Sequence, residues 1–200
     1  MDDITTKHLE EHRWFNYPVF YDEVGTDLSL KVYVELGCWK GHSTSYLAKI
    51  LKHRNDDCSL WAVDYWDEAP NLSGRTQLPD DYPNIYEIYK RNLHNSGASE
   101  IVTDIKGCTW EAANQFKDGS VDFVFVDADH SEEGVTKDIL SWWPKLKSTG
   151  VIAGHDYHTT NKTGVGPAVR KLFTSDEFVD YGRTLWVVEK SKMTRDICAT

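Results

Sequence analysis

The sequence predicts an α/β fold: a doubly wound, mostly parallel seven-stranded sheet whose last strand is antiparallel. Three observations carry this. Apolar, β-branched runs alternate with helix-like stretches along most of the chain, the pattern of βαβ units. Several runs are followed at once by acidic or glycine residues, as strands are where they emerge at a ligand-bearing rim. The last two runs, "EFVDYG" and "TLWVVEK", are joined by too few residues for a parallel crossover, so they must form a hairpin.

Taken in order, residues 1–30 read as an N-terminal helical segment. "KVYVELGC" (31–38) is the first strand, and "STSYLAKILKHR" (43–54) the first crossover helix, with Ser43 as its expected N-cap. "SLWAVDYW" (59–66) is the second strand. The polar, Pro/Gly-containing stretch 67–84 is long enough to cap the rim, with Trp66, Arg75 and Tyr82 as candidate contacts to a ligand. A helix follows and stops at Gly97. "IVTDIKG" (101–107), "VDFVFVDA" (121–128) and "GVIAGHDY" (150–157) are further strands, with helices near 109–116 and 132–146 between them. One more helix, near "VGPAVRKLF", precedes the hairpin. The main domain is thus expected over 31–190, with 191–200 a frayed tail.

The 200 residues suit one domain with a full core, and 40% hydrophobic against 27% charged residues is a globular balance. A formal net charge of −10, without any Lys/Arg run, argues against a nucleic-acid partner, which needs a basic footprint. The four cysteines show no CxxC pair and no zinc spacing, which suits free thiols in a reducing compartment. The charged N-terminus has no apolar signal core, and no apolar run reaches the length of a membrane span. A cytoplasmic protein without a membrane partner is expected, of unspecified oligomeric state.

The chemistry starts at "VELGCWKGHSTSYLA", a strand-to-helix turn through Gly37 and Gly41. Gly37 permits a tight turn and close approach of a ligand to the backbone. The loop lacks GxGxxG and GxxxxGK[ST], and Glu35 just before it would repel a pyrophosphate. A carboxylate beside a glycine turn fits a cationic ligand, such as a sulfonium amino acid. The second strand ends at Asp64, placed to accept ribose hydroxyls. After the third strand, Thr109 is expected to cap a helix and Trp110 to stand near an adenine.

With these motifs in this order, residues 31–190 resemble the class I S-adenosylmethionine-dependent methyltransferases, closest to the macrolide-sugar and small-molecule O-methyltransferases related to the caffeoyl-CoA and catechol type. "VELGCWKGHST" is similar to their first motif, "AVDYW" to the ribose acid, "VDFVFVDADH" to the fourth motif and "GVIAGHDY" to the fifth. The resemblance implies a Rossmann-like fold and methyl transfer to a hydroxyl of a small acceptor such as a sugar or phenol. It implies S-adenosylmethionine contacts at Glu35, Gly37, Gly41, Ser43, Asp64, Thr109, Trp110 and Asp127. It also implies a divalent metal, Mg²⁺ or Mn²⁺, held by Asp127 and Asp156, with the third position departing from the family pattern and filled by His155 or Tyr157 according to register. An imidazole there shifts preference from Mg²⁺ toward Mn²⁺, Fe or Zn²⁺. The catalytic base falls on Asp129 or His130; His130 has the better intrinsic pKa, and the acids of "DADHSEE" also suit a helix N-terminus. Two other readings stand beside this one. A nicotinamide-dependent Rossmann oxidoreductase is opposed by the missing GxGxxG and by Glu35, and a non-catalytic cofactor-binding module would fit a lost metal site at His155.

Overall fold

The computed structural model describes residues 15–66, 84–182 and 184–198. Arg75 and Tyr82 lie outside them, as does most of the 67–84 stretch. The seven strands are β1 (Val32–Leu36), β2 (Ser59–Asp64), β3 (Val102–Lys106), β4 (Val121–Val126), β5 (Leu146–Gly154), β6 (Val179–Tyr181) and β7 (Leu185–Glu189). They form one sheet in the order β3-β2-β1-β4-β5-β7-β6. The first five pair in parallel, and β7 runs antiparallel to both β5 and β6. The predicted fold class is the observed one. The order in which strands are added reverses between β1 and β4, and a crevice for ligands opens at such a switch point.

The described helices are α1 (Pro18–Thr26), α2 (His42–Arg54), α3 (Ile85–Ser96), α4 (Thr109–Ala112), α5 (Glu132–Trp142) and α6 (Val165–Leu172). Alternation along β4 divides the core. Val124 and Val126 pack with Val135 and Ile139 of α5 and Val169 of α6, whereas Phe123 and Phe125 pack with Tyr21 of α1 and Leu47 of α2. All six residues of β4 are buried, as a central parallel strand covered on both faces requires. Among the described residues no helix is long and apolar enough to cross a membrane. The four cysteines are all unpaired thiols.

Several boundaries differ from expectation for local reasons. Ser43 is not the cap of α2: the helix starts at His42, with Gly41 as its N-cap in the left-handed region at φ 78°. Thr109 is the first residue of α4, and Cys108 is the cap. The helix predicted through residue 146 stops at Trp142, because Pro144 cannot continue it. That early stop lets β5 begin at Leu146 and end at Gly154, leaving His155, Asp156 and Tyr157 in the turn beyond the strand. The described part of the expected tail, residues 191–198, packs onto the domain: Ile197 is buried, and Arg195 binds Glu177 at 2.7 Å and the Leu172 carbonyl at 2.6 Å. Trp66 is buried against Tyr86 and Tyr89 and donates to the Trp39 carbonyl, so it builds the loop's support instead of facing a ligand.

One core position breaks the apolar pattern. The buried face of α5 carries Val135, Asp138, Ile139 and Trp142; Asp138 is fully buried, and among the described residues neither carboxylate oxygen has a partner within hydrogen-bond distance, with Thr109 the polar side chain near it. Burial pushes its pKa up to about 7, the Thr109 side chain easing the shift and the Asp129 charge adding to it.

This packing has measurable consequences at two positions. Gly37 has φ 84°, and a Cβ there would collide with the Asp127 carbonyl oxygen. Gly37→Ala should therefore cost at least about 2 kcal/mol in urea unfolding, and a change under about 0.5 kcal/mol would contradict the close approach. Asp138 titrates near 4 when unfolded but at about 7 when folded. Between those values the unfolded chain loses its proton while the folded chain keeps it, so stability falls as pH rises through the window and levels off above it. Asp138→Asn lacks this component, so urea midpoints should show the variant gaining on wild type from about pH 5 to about pH 8. An unchanged difference at the two pH values would contradict it.

Candidate active site

The site forms where β1, β2, β4 and β5 end. The turn after β1 is drawn inward at both glycines. Gly37 N–H donates to the Val63 carbonyl of β2 at 2.9 Å, while Asp127 N–H donates to the Leu36 carbonyl at 2.8 Å. A Cβ on Gly41 would stand 2.6 Å from the Tyr89 ring. Both glycines are thus needed for close packing as well as for their positive φ. The loop between them carries Trp39 at φ 48°, a further left-handed residue.

Asp64 holds this loop to β2. Its Oδ2 accepts from Cys38 N–H at 2.7 Å and Trp39 N–H at 2.8 Å, and its Oδ1 from Trp66 N–H at 2.7 Å. Burial raises its pKa, and these backbone donors pull the other way. A carboxylate has roughly four acceptor sites, so little capacity remains for ribose hydroxyls. Glu35 is likewise enclosed. It is 1% exposed, accepts from Tyr21 Oη at 2.8 Å, and is also bonded by the Thr44 and Ser43 hydroxyls. Burial raises its pKa against those donors. Glu35 therefore lies beneath the turn, with Ser43 beside it, and not on the open rim.

Thr109 and Trp110 stand two strands away, past the end of β3. Thr109 is buried, and its carbonyl accepts from Trp142 Nε1 at 2.9 Å. Trp110 is half-buried, with the Lys137 ammonium 5.1 Å from its ring centre.

The titratable centre is built by the turns after β4 and β5. Asp127 stands one residue beyond β4, and Asp156 two residues beyond β5. Asp156 adopts φ 54°, a left-handed conformation that costs a non-glycine residue about 1 kcal/mol. Such strain persists where the surroundings enforce it. Here Thr163 Oγ1 donates to the Asp156 carbonyl at 3.0 Å, and Gly164 N–H donates to the His130 carbonyl at 2.8 Å, clamping the two turns together.

The result is a pair of carboxylates flanked by two imidazoles. His130 Nε2 lies 3.3 Å from Asp127 Oδ1 and 3.3 Å from Asp156 Oδ2. The other two oxygens face His155, whose Nδ1 is 3.8 Å from Asp127 Oδ2 and 3.6 Å from Asp156 Oδ1. The His130 side chain is 36% exposed and that of His155 only 9%. His158 Nε2 is farther out, 4.0 Å from Asp156 Oδ1. Among the described residues, Asp127, His130 and Asp156 offer three donor atoms within 4.8 Å of one another. The expected third ligand, His155, is thus matched by His130 on the opposite side. Tyr157, the alternative, is buried with its hydroxyl toward Arg170, so it does not join the pair.

Asp129 takes another role. Its Oδ1 accepts from Ser131 N–H at 2.8 Å and its Oδ2 from the Ser131 hydroxyl at 3.0 Å. Ser131 in turn caps α5 by accepting from Gly134 N–H at 3.0 Å, with Glu132 and Glu133 in the first turn. The carboxylate is committed to this cap, and His130 is the side chain of this turn that faces both Asp127 and Asp156.

Sequence reasoning missed the segment that covers the site. Tyr17 Oη donates to Asp127 Oδ2 at 3.2 Å, Asn16 Oδ1 stands 3.1 Å from His155 Nε2, and the Tyr17 ring lies 4.9 Å from the His155 ring. Burial and the Asp127 and Glu35 charges hold the Tyr17 phenol well above its usual pKa, so it stays a neutral donor. The aromatic-rich "FNYPVFY" (15–21), which runs into the first turn of α1, was the available signal. A groove of about 460 Å³ lined by Thr26, Tyr46, Lys49, Ile50, His53 and Arg54 lies toward the far end of α2. Its lining side chains include Lys49 and Arg54, and it lies apart from the carboxylate pair at the rim.

Comparison with known proteins bears on the family and the fold. A family model described as a methyltransferase domain matches residues 34–157, more than half the chain. A Sinorhizobium fredii (strain NBRC 101917 / NGR234) protein, named uncharacterized protein y4gI, is 29% identical over 126 residues, 62% of this chain. The chain spans only 13% of that relative's length. The solved structure of the O-methyltransferase NovP has a similar fold, at TM-score 0.68 and 18% identity over 88% of this chain and 79% of its own. The Bacillus cereus O-methyltransferase in complex with SAH gives TM-score 0.61 and 15% identity over 86% and 80%. Cofactor-bound Rv0187 from MTB gives 0.64 and 14% over 88% and 80%. With the matched segment running from β1 to the turn after β5, the chain belongs to the methyltransferase-domain family.

Proposed function

We propose that the protein transfers the methyl group of S-adenosylmethionine to a hydroxyl of a small molecule, with His130 as the base and a divalent cation beside it. The carrying observation is the position of His130 Nε2, 3.3 Å from carboxylate oxygens of both Asp127 and Asp156. Nε2 facing two acceptors holds its proton there, so the lone pair of the neutral ring is on Nδ1. Nδ1 takes the hydroxyl proton, and the two carboxylates stabilise the imidazolium that forms. Its partial exposure lets an acceptor reach it, whereas His155 is covered.

S-adenosylmethionine supplies an electrophilic methyl on a sulfonium. The residues available to hold it are those around the glycine turn. Gly37 and Gly41 keep the backbone open to it, and Glu35, Ser43, Asp64 and Asp127 set a negative lining against its positive charge. Thr109 and Trp110 stand toward the adenine end. Because hydrogen bonds within the protein already fill Glu35 and Asp64, these two act through their field and by placing the loop more than through direct bonds to the ligand.

The donor set fits a cation. Two carboxylates meet at the rim, one of them on a strained backbone, and an imidazole faces them from either side. When bound, the cation lowers the pKa of an acceptor hydroxyl. Asp127, Asp156 and His155 would hold it on the covered side, leaving His130 toward the acceptor. Mixed oxygen and nitrogen donors favour Mn²⁺ over Mg²⁺. The O-methyltransferase neighbours support a hydroxyl acceptor, and a net charge of −10 disfavours a nucleic-acid one.

Calorimetry with S-adenosylhomocysteine tests the cofactor half: binding is expected, and none at about millimolar ligand would end this reading. Turnover on a panel of small phenols and sugars tests the rest. His130→Gln should lower kcat roughly 10²- to 10⁴-fold with S-adenosylhomocysteine affinity kept, and Asp127→Asn or Asp156→Asn should abolish metal-dependent turnover. Undiminished turnover in excess chelator would remove the cation from the mechanism.

A further inference from the structure

We infer that Asn16 is a positioning residue for the cation site, and that the segment carrying it closes as the cation binds. The inference rests on the cation reading above and concerns a residue that this reading does not use. A cation held by Nδ1 leaves the ring proton of His155 on Nε2, and Asn16 Oδ1, 3.1 Å away, is placed to accept it. The neutral ring then carries its lone pair on Nδ1, the atom that faces Asp127 Oδ2 and Asp156 Oδ1. This is the arrangement by which an outer partner orients a metal-binding histidine and raises its basicity.

Two further contacts limit the ring. The Tyr17 ring packs against it at 4.9 Å, and the His155 backbone N–H donates to the Val126 carbonyl at 3.1 Å, which fixes the main chain that carries the imidazole. Tyr17 also donates to Asp127 Oδ2, one of the two oxygens on the His155 side. Adjacent residues of one segment therefore touch both the imidazole and a carboxylate of the same centre. The segment continues into α1, where Tyr21 bonds Glu35 beneath the glycine turn. Closure of residues 15–21 and filling of the cation site favour each other, and the coupling must be reciprocal.

Mn²⁺ alone is the probe, with binding read by electron paramagnetic resonance and amide hydrogen exchange followed over residues 15–26. Asn16→Ala should weaken Mn²⁺ roughly 10- to 100-fold while leaving thermal stability and S-adenosylhomocysteine affinity at wild-type values, because Asn16 is at the surface. Asn16→Asp keeps an acceptor at the same place and should restore Mn²⁺ affinity to within about threefold. Mn²⁺ should slow exchange over 15–26 in wild type and not in Asn16→Ala, a readout that a purely structural contact would not move. If wild type binds Mn²⁺ and Asn16→Ala binds it equally well, the inference is overturned and the cation reading stands. If wild type binds no Mn²⁺, both fall together.

Discussion

The architecture depends on the absence of a side chain at position 37. The end of β1 and the turn after β4 come so close that the Asp127 carbonyl occupies the space of a Cβ. That approach is what allows the Asp127 amide to bond the Leu36 carbonyl and brings the glycine turn and the carboxylate centre to one place on the rim. The two halves of the proposed chemistry, a sulfonium on one side and a proton acceptor on the other, can then share a boundary. Asp64 reinforces the arrangement by binding backbone amides of the loop, so a half-buried carboxylate helps set the path of the chain.

The second constraint is electrostatic. Two carboxylates at neighbouring strand ends repel unless positive charge or hydrogen-bond donors lie between them. Here His130, His155 and Tyr17 surround the pair, and the strained backbone of Asp156 is retained because the turns on both sides are clamped. In the proposed reaction, positive charge held between the two carboxylates, as imidazolium or as a divalent cation, would lie where an oxyanion develops. In the proposed reaction, the division between a covered histidine and an accessible one would separate holding the cation from proton transfer.

The parallel strands were legible because each is a short apolar run closed by turn residues, and the hairpin because β6 and β7 are too near in sequence for a crossover. Asp127 and Asp156 were legible from their places beyond strands. The internal roles of Glu35 and Asp64 were not. Nothing in "VELG" or "AVDYW" says that hydroxyls of Tyr21, Thr44 and Ser43, or three backbone amides, will fill those carboxylates. Asn16 and Tyr17 were hidden for the same reason, lying about 110 or more residues from their partners. Asp138 was hidden by periodicity, since an acid on a helix reads as solvated unless the turn-by-turn stripe is counted, and here it falls between Val135 and Trp142 on the core face. Boundary errors traced to single residues: Gly41 taking the cap from Ser43, and Pro144 ending α5 early.

The most direct measurement of the central claim is a crystal structure of the protein with S-adenosylhomocysteine and Mn²⁺, using anomalous scattering to locate the ion. The account predicts the ligand's sulfur on the rim beside Gly37 and Asp127, with the ion bound by Asp127, Asp156 and His155 and with His130 on the opposite side. Ligand bound away from that rim, or ordered ligand with no anomalous density at the carboxylate pair, would contradict it.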